Sequence, residues 1–246
     1  MVNLFPLYTQ FAIINNSTVV TDADGASMTI ALNMLLPTFC KDWNLSSVTA
    51  TFVGKGKPVP ANMYKIYILD NTNIQGALAY HDIISDIPYA NVYAKTILTS
   101  GGAVLYEQTR TKSTVAQTVC HEVFELLVDP RCTIWWMNPN TGILYAGEVV
   151  DPVESNALVV PIGKNVNVTM SDWILPSWQD VQSKSGPYNH MNTLKAPYTT
   201  DKNGYVLCIQ NGKVNYVFGT DVTPEKKAYY QSKRRITARN STVKSK

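Results

Sequence analysis

Apolar residues recur at helical spacing in two stretches of the chain. The first stretch covers about residues 25–39, and the second covers residues 113–127. Asp22 or Asp24 can cap the start of the first helix, and Pro37 predicts its end. Asp129-Pro130 stops the second helix. The second helix carries one apolar stripe, made of Val115, Val119, Val123, Phe124 and Leu127.

Runs with alternating or β-branched residues predict strands on both sides of the second helix. Those before it are residues 47–53, 64–69, 77–82 and 90–98. The shorter ones after it are residues 143–150, 158–161, 166–170, 206–210 and 214–218. This order predicts an α+β fold with a loop-rich β C-terminal half. We expect one domain over residues 1–225, with a C-terminal subdomain from about residue 131.

The second predicted helix contains the sequence His121-Glu122-Val123-Phe124-Glu125. His121 and Glu125 lie four residues apart, so they project from one face of the helix and can grip one cation. Glu122 lies about 100° round the helix, where a carboxylate can accept a proton from water in a hydrolytic site. A third protein ligand is needed, and the nearest acidic candidates are Asp129, Glu148 and Asp151.

The same residues also suit an ordinary helix face on which the histidine and the glutamates bond to each other. Two glutamates near the C-terminal end of a helix oppose its macrodipole, and a bound cation relieves that conflict. A glutamate in place of a second histidine makes the site harder and more anionic. Calcium or manganese therefore competes better with zinc, which is still the expected metal. The added negative charge also weakens the metal as a Lewis acid, so the pattern predicts binding before it predicts catalysis.

Six sequence blocks occur in a fixed order over about residues 20–220. They are residues 69–70, 76–82 (GALAYHD), 88–93 (PYANVY), 121–130 (HEVFELLVDP), 148–154 (EVVDPVE) and 171–178 (SDWILPSW). These blocks resemble a group of uncharacterised phage and bacterial proteins with motifs of the form GYHD, SHELLEMLxDP, ExxDPVE and VSxFxxPxW. The chain has Cys120 where a serine is usual and Ala79 where a glycine is usual. The HExxE and DP pattern is also similar to zincin-like peptidases that have glutamate at the second ligand position.

The resemblance implies a zincin-like fold of the metzincin or gluzincin type, with a mixed sheet over an active-site helix. It implies His121 and Glu125 as metal ligands, Glu148 or Asp151 as a further ligand, and Glu122 as the base. Two functions follow as expectations. One is a metallopeptidase that hydrolyses a peptide or protein substrate. The other is a structural component of a phage virion that contacts other virion proteins and keeps the fold without activity.

Two further histidines are interpreted without a metal. His81, in the pair His81-Asp82, is predicted to be a hydrogen-bonded imidazole in a turn; the alternative places it in the cleft beside the metal. His190 is predicted to lie in a flexible loop, with a role near the substrate as the alternative. The four cysteines form no CxxC pair and are expected to be buried free thiols. The tryptophans at 135, 136, 173 and 178 are expected to pack in the core or in an interface; the alternative is a platform on which a carbohydrate or a base stacks.

Composition excludes two broad classes of protein. The 45% hydrophobic and 16% charged residues are typical of a globular chain rather than a disordered one. No apolar run approaches the roughly 18–20 residues of a membrane span. The N-terminal sequence has no charged segment followed by an apolar one, so no signal peptide is predicted. We therefore expect the protein in the host cytoplasm or in a virion.

Basic residues are concentrated at the end of the chain. Residues 226–246 contain eight of the 21 basic residues and no acidic one, which leaves 13 basic against 18 acidic residues elsewhere. This segment is predicted to be a flexible basic tail. It is either a solvated end or an arm that contacts nucleic acid or an acidic partner surface.

Overall fold

The computed structural model describes residues 8–72, 77–85 and 87–231. These residues form a mixed α+β structure, as the sequence predicts. The chain divides into two compact units. The first contains the chain up to Leu127 together with residues 157–171, and the second contains residues 128–156 and the chain from residue 172 onward. The predicted single domain with a subdomain from about residue 131 stays a prediction.

A five-stranded sheet is the frame of the first unit. Its order is β2-β1-β3-β5-β4, and β4 is antiparallel to β5 whereas the other pairs are parallel. The strands are β1 (Gln10–Asn15), β2 (Thr49–Val53), β3 (Tyr64–Leu69), β4 (Ala79–Ile84) and β5 (Ile87–Tyr93). Strand β1 is absent from the sequence predictions. The strand predicted over residues 90–98 is wrong in its second half, where a short helix α2 (Ala94–Thr99) follows β5.

Helix α1 (Asp22–Asp42) packs beside this sheet and runs through the predicted stop at Pro37. Its cap is Thr21, which forms a capping box with Asp24, rather than Asp22 or Asp24 itself. The helix continues past Pro37 because the added turn buries Phe39 in the core, which stabilises it. The Asn33 side chain bonds both backbone groups of Ala50 in β2 at 2.8 Å, which ties the helix to the sheet.

Helix α3 (Val115–Val128) has eleven buried residues out of 14, so it is enclosed on nearly every side. Its Phe124 ring stacks on Phe39 of α1, with the ring centroids 4.1 Å apart and the planes 3° from parallel. A hairpin of β8 (Ala157–Pro161) and β9 (Asn167–Ser171) also packs here, and the Ser171 hydroxyl donates to the Gln117 carbonyl at 2.9 Å. Polar residues on this helix are therefore carried into the interior.

The second unit is built on an antiparallel sheet of order β11-β10-β7-β6. The strands are β6 (Trp135–Met137), β7 (Leu144–Ala146), β10 (Tyr205–Gln210) and β11 (Lys213–Phe218). Trp173 and Trp178 are fully buried, as predicted, and Trp178 contacts the rings of Tyr145 and Tyr198. The other two tryptophans are half-buried. The predicted segments over 206–210 and 214–218 are confirmed as β10 and β11.

The segment predicted to be a flexible tail begins with a docked helix. Helix α4 (Pro224–Gln231) places Lys226 Nζ 2.6 Å from Glu154 Oε2. Tyr230 is buried and stacks on Tyr205, with the ring centroids 3.8 Å apart. The prediction of a flexible tail is therefore wrong for residues 226–231. Its remainder, residues 232–246, lies outside the described residues.

Two other predictions are met within the described residues. None of the helices has the length and apolar character needed to cross a membrane. The four cysteines are free thiols, and all but the half-buried Cys132 are buried.

The stacked rings of Phe39 and Phe124 should carry a large share of the first unit's stability. We expect Phe124→Ala to lower the free energy of unfolding by about 3–5 kcal/mol, because it removes a fully buried ring and leaves a cavity. Chemical denaturation followed by circular dichroism measures this. As a control, Ile30→Ala on the exposed side of α1 should change it by less than about 0.5 kcal/mol. Equal effects of the two substitutions would contradict the role given to the stack.

Candidate metal centre

The site begins with a histidine on the edge strand. In the β4–β5 pair His81 lies opposite Ala90, and directly paired residues project from the same face of a sheet. Ala90 is fully buried on that face, so His81 also projects toward the interior. Its neighbour Tyr80 projects from the other face, where its hydroxyl accepts a hydrogen bond from Asn91 at 3.0 Å. Strand alternation alone therefore decides which side chain reaches helix α3.

Helix α3 brings the sequence-predicted residues to this histidine. His81 Nδ1 lies 3.3 Å from Glu122 Oε2 and 3.8 Å from Glu125 Oε2. On the helix, His121 Nε2 lies 3.1 Å from the same Glu125 oxygen. Ligand atoms of His81, Glu122 and Glu125 all lie within 4.8 Å of one another. The structure thus assembles two imidazoles around two carboxylates.

This cluster is almost closed to solvent. The side chains of His81, Glu122 and Glu125 are 5%, 3% and 4% exposed, and that of His121 is 13% exposed. Burying a carboxylate is costly unless positive charge and hydrogen bonds compensate it. Two protons on the imidazoles or one divalent cation would balance the two carboxylates. Nitrogen and carboxylate donors are a set that zinc accepts, so the residues fit a divalent metal.

The prediction of a turn at His81 is wrong, because the residue lies within β4. Its imidazole is hydrogen-bonded, as predicted, but the partner is Glu122, 41 residues further along the chain. Sequence reasoning missed this contact since it searched for ligands at helical spacing. The signal that could have found it is the block that ends in His81-Asp82, which precedes the helix in the family resemblance.

Glu148 and Asp151 belong to the second unit. Glu148 follows strand β7, and Asp151 starts a short 3-10 turn over Asp151–Val153. Both residues are buried. The prediction that one of them completes the ligand set stays a prediction.

Asp129, a third acidic candidate, has a structural task. Its two carboxylate oxygens accept hydrogen bonds from the backbone N–H groups of Thr133 and Ile134, at 2.8 and 3.0 Å. The residue is fully buried directly after α3. It therefore fixes the turn by which the chain leaves the helix.

Asp172 and His190 lie in one segment of the second unit, which hydrogen bonds and a ring stack hold in place. Burial raises the pKa of Asp172, against the lowering effect of hydrogen bonds that include those from Asn189 and the backbone N–H of Trp173. The His190 ring stacks on Trp173 with centroids 4.0 Å apart, and its backbone N–H donates to the Trp173 carbonyl at 2.9 Å. The flexible loop predicted around His190 is thus wrong, since the loop is held by buried groups.

Cys120 precedes His121 but is a packing residue. It is fully buried, and burial raises the pKa of its thiol while a hydrogen bond from the Ser171 backbone acts in the opposite direction. A neutral thiol at this position fills the space where the resemblance expects serine.

Comparison of the chain with family models, with curated proteins and with solved structures gave no match. The family resemblance of its sequence blocks therefore stays a prediction, and the geometry of the cluster has to carry the functional argument.

We expect Asp129→Asn to lower the free energy of unfolding by about 1–3 kcal/mol, because one of two backbone N–H groups loses its charged acceptor. Metal content should not change if the role is structural. Thermal denaturation and elemental analysis test the two parts. Asp180→Asn is a matched control, since that exposed aspartate accepts a hydrogen bond from the Gln182 N–H. Loss of metal from Asp129→Asn in a folded protein would argue for a ligand instead.

Proposed function

We propose that the first unit is a zincin-like domain that binds a divalent metal, zinc first, and hydrolyses peptide bonds. The observation that carries the proposal is the buried cluster on helix α3. There His121 and Glu125, one turn apart, meet at 3.1 Å, and Glu122 lies between them in sequence with its carboxylate inside the protein. A surface helix face with chance His and Glu residues would leave these side chains exposed.

The order of elements supports the same proposal. Helix α1 is followed by strands that include the antiparallel edge strand β4, and then by helix α3 with the HExxE sequence, which is an order that we expect of a zincin catalytic domain. Strand β1 precedes α1, and β5 and α2 lie between β4 and α3. The mixed sheet lies against the helix that carries the motif, since His81 of β4 contacts Glu122 of α3. Fold and motif therefore agree, although either alone is a weaker argument.

Each residue of the helix has a separate chemical task in the proposed reaction. His121 and Glu125 would hold the metal. When bound, a divalent ion supplies Lewis acidity that polarises a substrate carbonyl and eases deprotonation of water. Glu122 would accept a proton from the attacking water and pass it to the leaving amine. Its buried surroundings exclude bulk water, which strengthens its hydrogen bonds.

Metal content tests the binding half of the proposal. After removal of metal by a chelator, loading with zinc and dialysis, the wild-type chain should retain about one zinc ion. His121→Ala and Glu125→Ala should retain almost none, because each loses a ligand. Glu225→Gln changes an exposed glutamate and is the control that should behave as wild type. Equal zinc in all four proteins would contradict the assigned ligands.

Proteolysis tests the catalytic half. Glu122→Gln should abolish cleavage of an unfolded protein substrate by the zinc-loaded chain while its zinc content stays at the wild-type level, because the amide cannot accept the proton. Cleavage is followed by electrophoresis, with metal-free wild-type protein as the blank. Unchanged cleavage by Glu122→Gln would contradict the role of Glu122 as the base.

A structural protein of a phage virion is the second candidate. The contact of 3.3 Å between Glu122 and His81 would suit a site without activity, because a carboxylate held by an imidazole can fix its surroundings. In that case the metal stabilises the fold by binding the native state alone, by about 2.7 kcal/mol at a ligand concentration 100 times Kd. A chelator would then lower Tm, and no proteolysis would accompany the metal-loaded state.

A further inference from the structure

We propose that His81 is itself a protein ligand of the metal, so that edge strand β4 and helix α3 hold the ion together. The assignment rests on the proposed metal site and adds a ligand that the HExxE pattern does not contain. Together with His121 and Glu125 it gives three protein donors. Three donors are the number that a catalytic zinc site uses, with the fourth position open to water or substrate.

Donor spacing supports the pairing of each histidine with Glu125. Metal–nitrogen and metal–oxygen bonds of about 2.0–2.2 Å in a tetrahedral shell place neighbouring donors roughly 3.3–3.6 Å apart. Glu125 Oε2 lies 3.1 Å from His121 Nε2 and 3.8 Å from His81 Nδ1. Both spacings are within about 0.3 Å of that range, so these two donor pairs need only a small adjustment of the side chains.

The backbone already fixes His81 in this place. Antiparallel pairing of β4 with β5 extends from Ala79 to Ile84, on both sides of the histidine. Its side chain is 5% exposed, so little rotamer freedom is left to lose when an ion binds. Neutral imidazole binds metals through either ring nitrogen, and Nδ1 is the one turned to the carboxylates.

The assignment also explains where Glu122 lies. Its Oε2 atom is 3.3 Å from the proposed donor atom of His81, which puts the carboxylate beside the ligand set. A general base must reach a water held at the open position, and a carboxylate next to a ligand is placed for that. Metal binding at His81 Nδ1 would replace its hydrogen bond to Glu122, so the carboxylate would lie beside the ligand set and be able to accept from water instead.

Zinc affinity, measured by competition with a chelating dye, tests the assignment. Because loss of a residue that only supports a ligand costs 10–100-fold in affinity, loss of a ligand in His81→Ala should exceed about 100-fold. Tyr80→Phe is the matched control on the opposite face of the same strand and should bind zinc as wild type does. Glu122→Gln separates orientation from ligation, since it removes the negative charge beside His81 but no proposed ligand.

Cobalt(II) gives a second readout that does not depend on affinity or on activity. His81→Cys places a thiol at the proposed position, and its direct coordination should add a sulfur-to-cobalt charge-transfer absorption that the wild-type chain lacks. His81→Ala should lose the intensity of the visible cobalt bands. Circular dichroism of the metal-free variants checks that each one folds.

The outcomes are distinguishable. If wild-type protein binds zinc, His81→Ala binds it within about 10-fold, and His81→Cys adds no new absorption, His81 is no ligand and the proposed metal site survives without it. If His81→Ala and Glu122→Gln weaken zinc binding equally and modestly, His81 only orients the base, which also overturns the assignment. If the wild-type chain binds neither zinc nor cobalt, the proposed function fails and the assignment fails with it.

Discussion

Two carboxylates buried on one helix constrain the rest of the first unit. Helix α3 is enclosed along most of its length, and Glu122 and Glu125 go into the interior with it. Isolated charges in such a place would cost several kcal/mol each, even after relaxation. An imidazole from each of two elements lies beside them: His121 belongs to the helix and His81 to the sheet. Hydrophobic packing encloses the helix, and the glutamates can be buried on it because nearby imidazoles can compensate their charge.

The register of the edge strand is therefore as important as the helix. A shift of one residue between β4 and β5 would move His81 to the opposite face and would turn Tyr80 or Asp82 toward the helix. Asp82 there would add a third carboxylate to the buried pair, and Tyr80 would bring a bulky ring without a positive charge. Both changes remove the imidazole of β4 from Glu122, and only His121 then remains beside the two carboxylates. The pairing of β4 with β5 and the chemistry of α3 thus constrain each other.

Local periodicity explains what could be predicted. Strand β3 alternates buried and half-buried residues, and its bounds follow from the sequence alone. Helix α3 was predicted to within about two residues at its ends because one apolar stripe runs along it. The pairing of His121 with Glu125 follows from the same helical spacing. These features depend only on residues that are close in sequence, within one helix or one strand.

The errors arise where tertiary packing overrides a local signal. Strand β1 is buried on both faces, so it shows no alternation, and a short apolar run alone does not identify a strand. Pro37 is a strong stop signal, yet the burial of Phe39 outweighs one missing backbone hydrogen bond. The basic residues of α4 suggested a tail, whereas the two tyrosines that follow Lys227 anchor the helix. In each case the deciding contact is distant in sequence.

Charge balance also bears on the choice between a catalytic and a structural site. Two neutral imidazoles with two carboxylates have a net charge of −2, which one divalent ion cancels. Two imidazolium protons cancel it equally well, so the protein has a way to keep these residues buried without metal. A fold that survives metal removal would then be compatible with either function. The deciding property is whether Glu122 is free to exchange its contact with His81 for one with water, because only a carboxylate that can do so acts as a base.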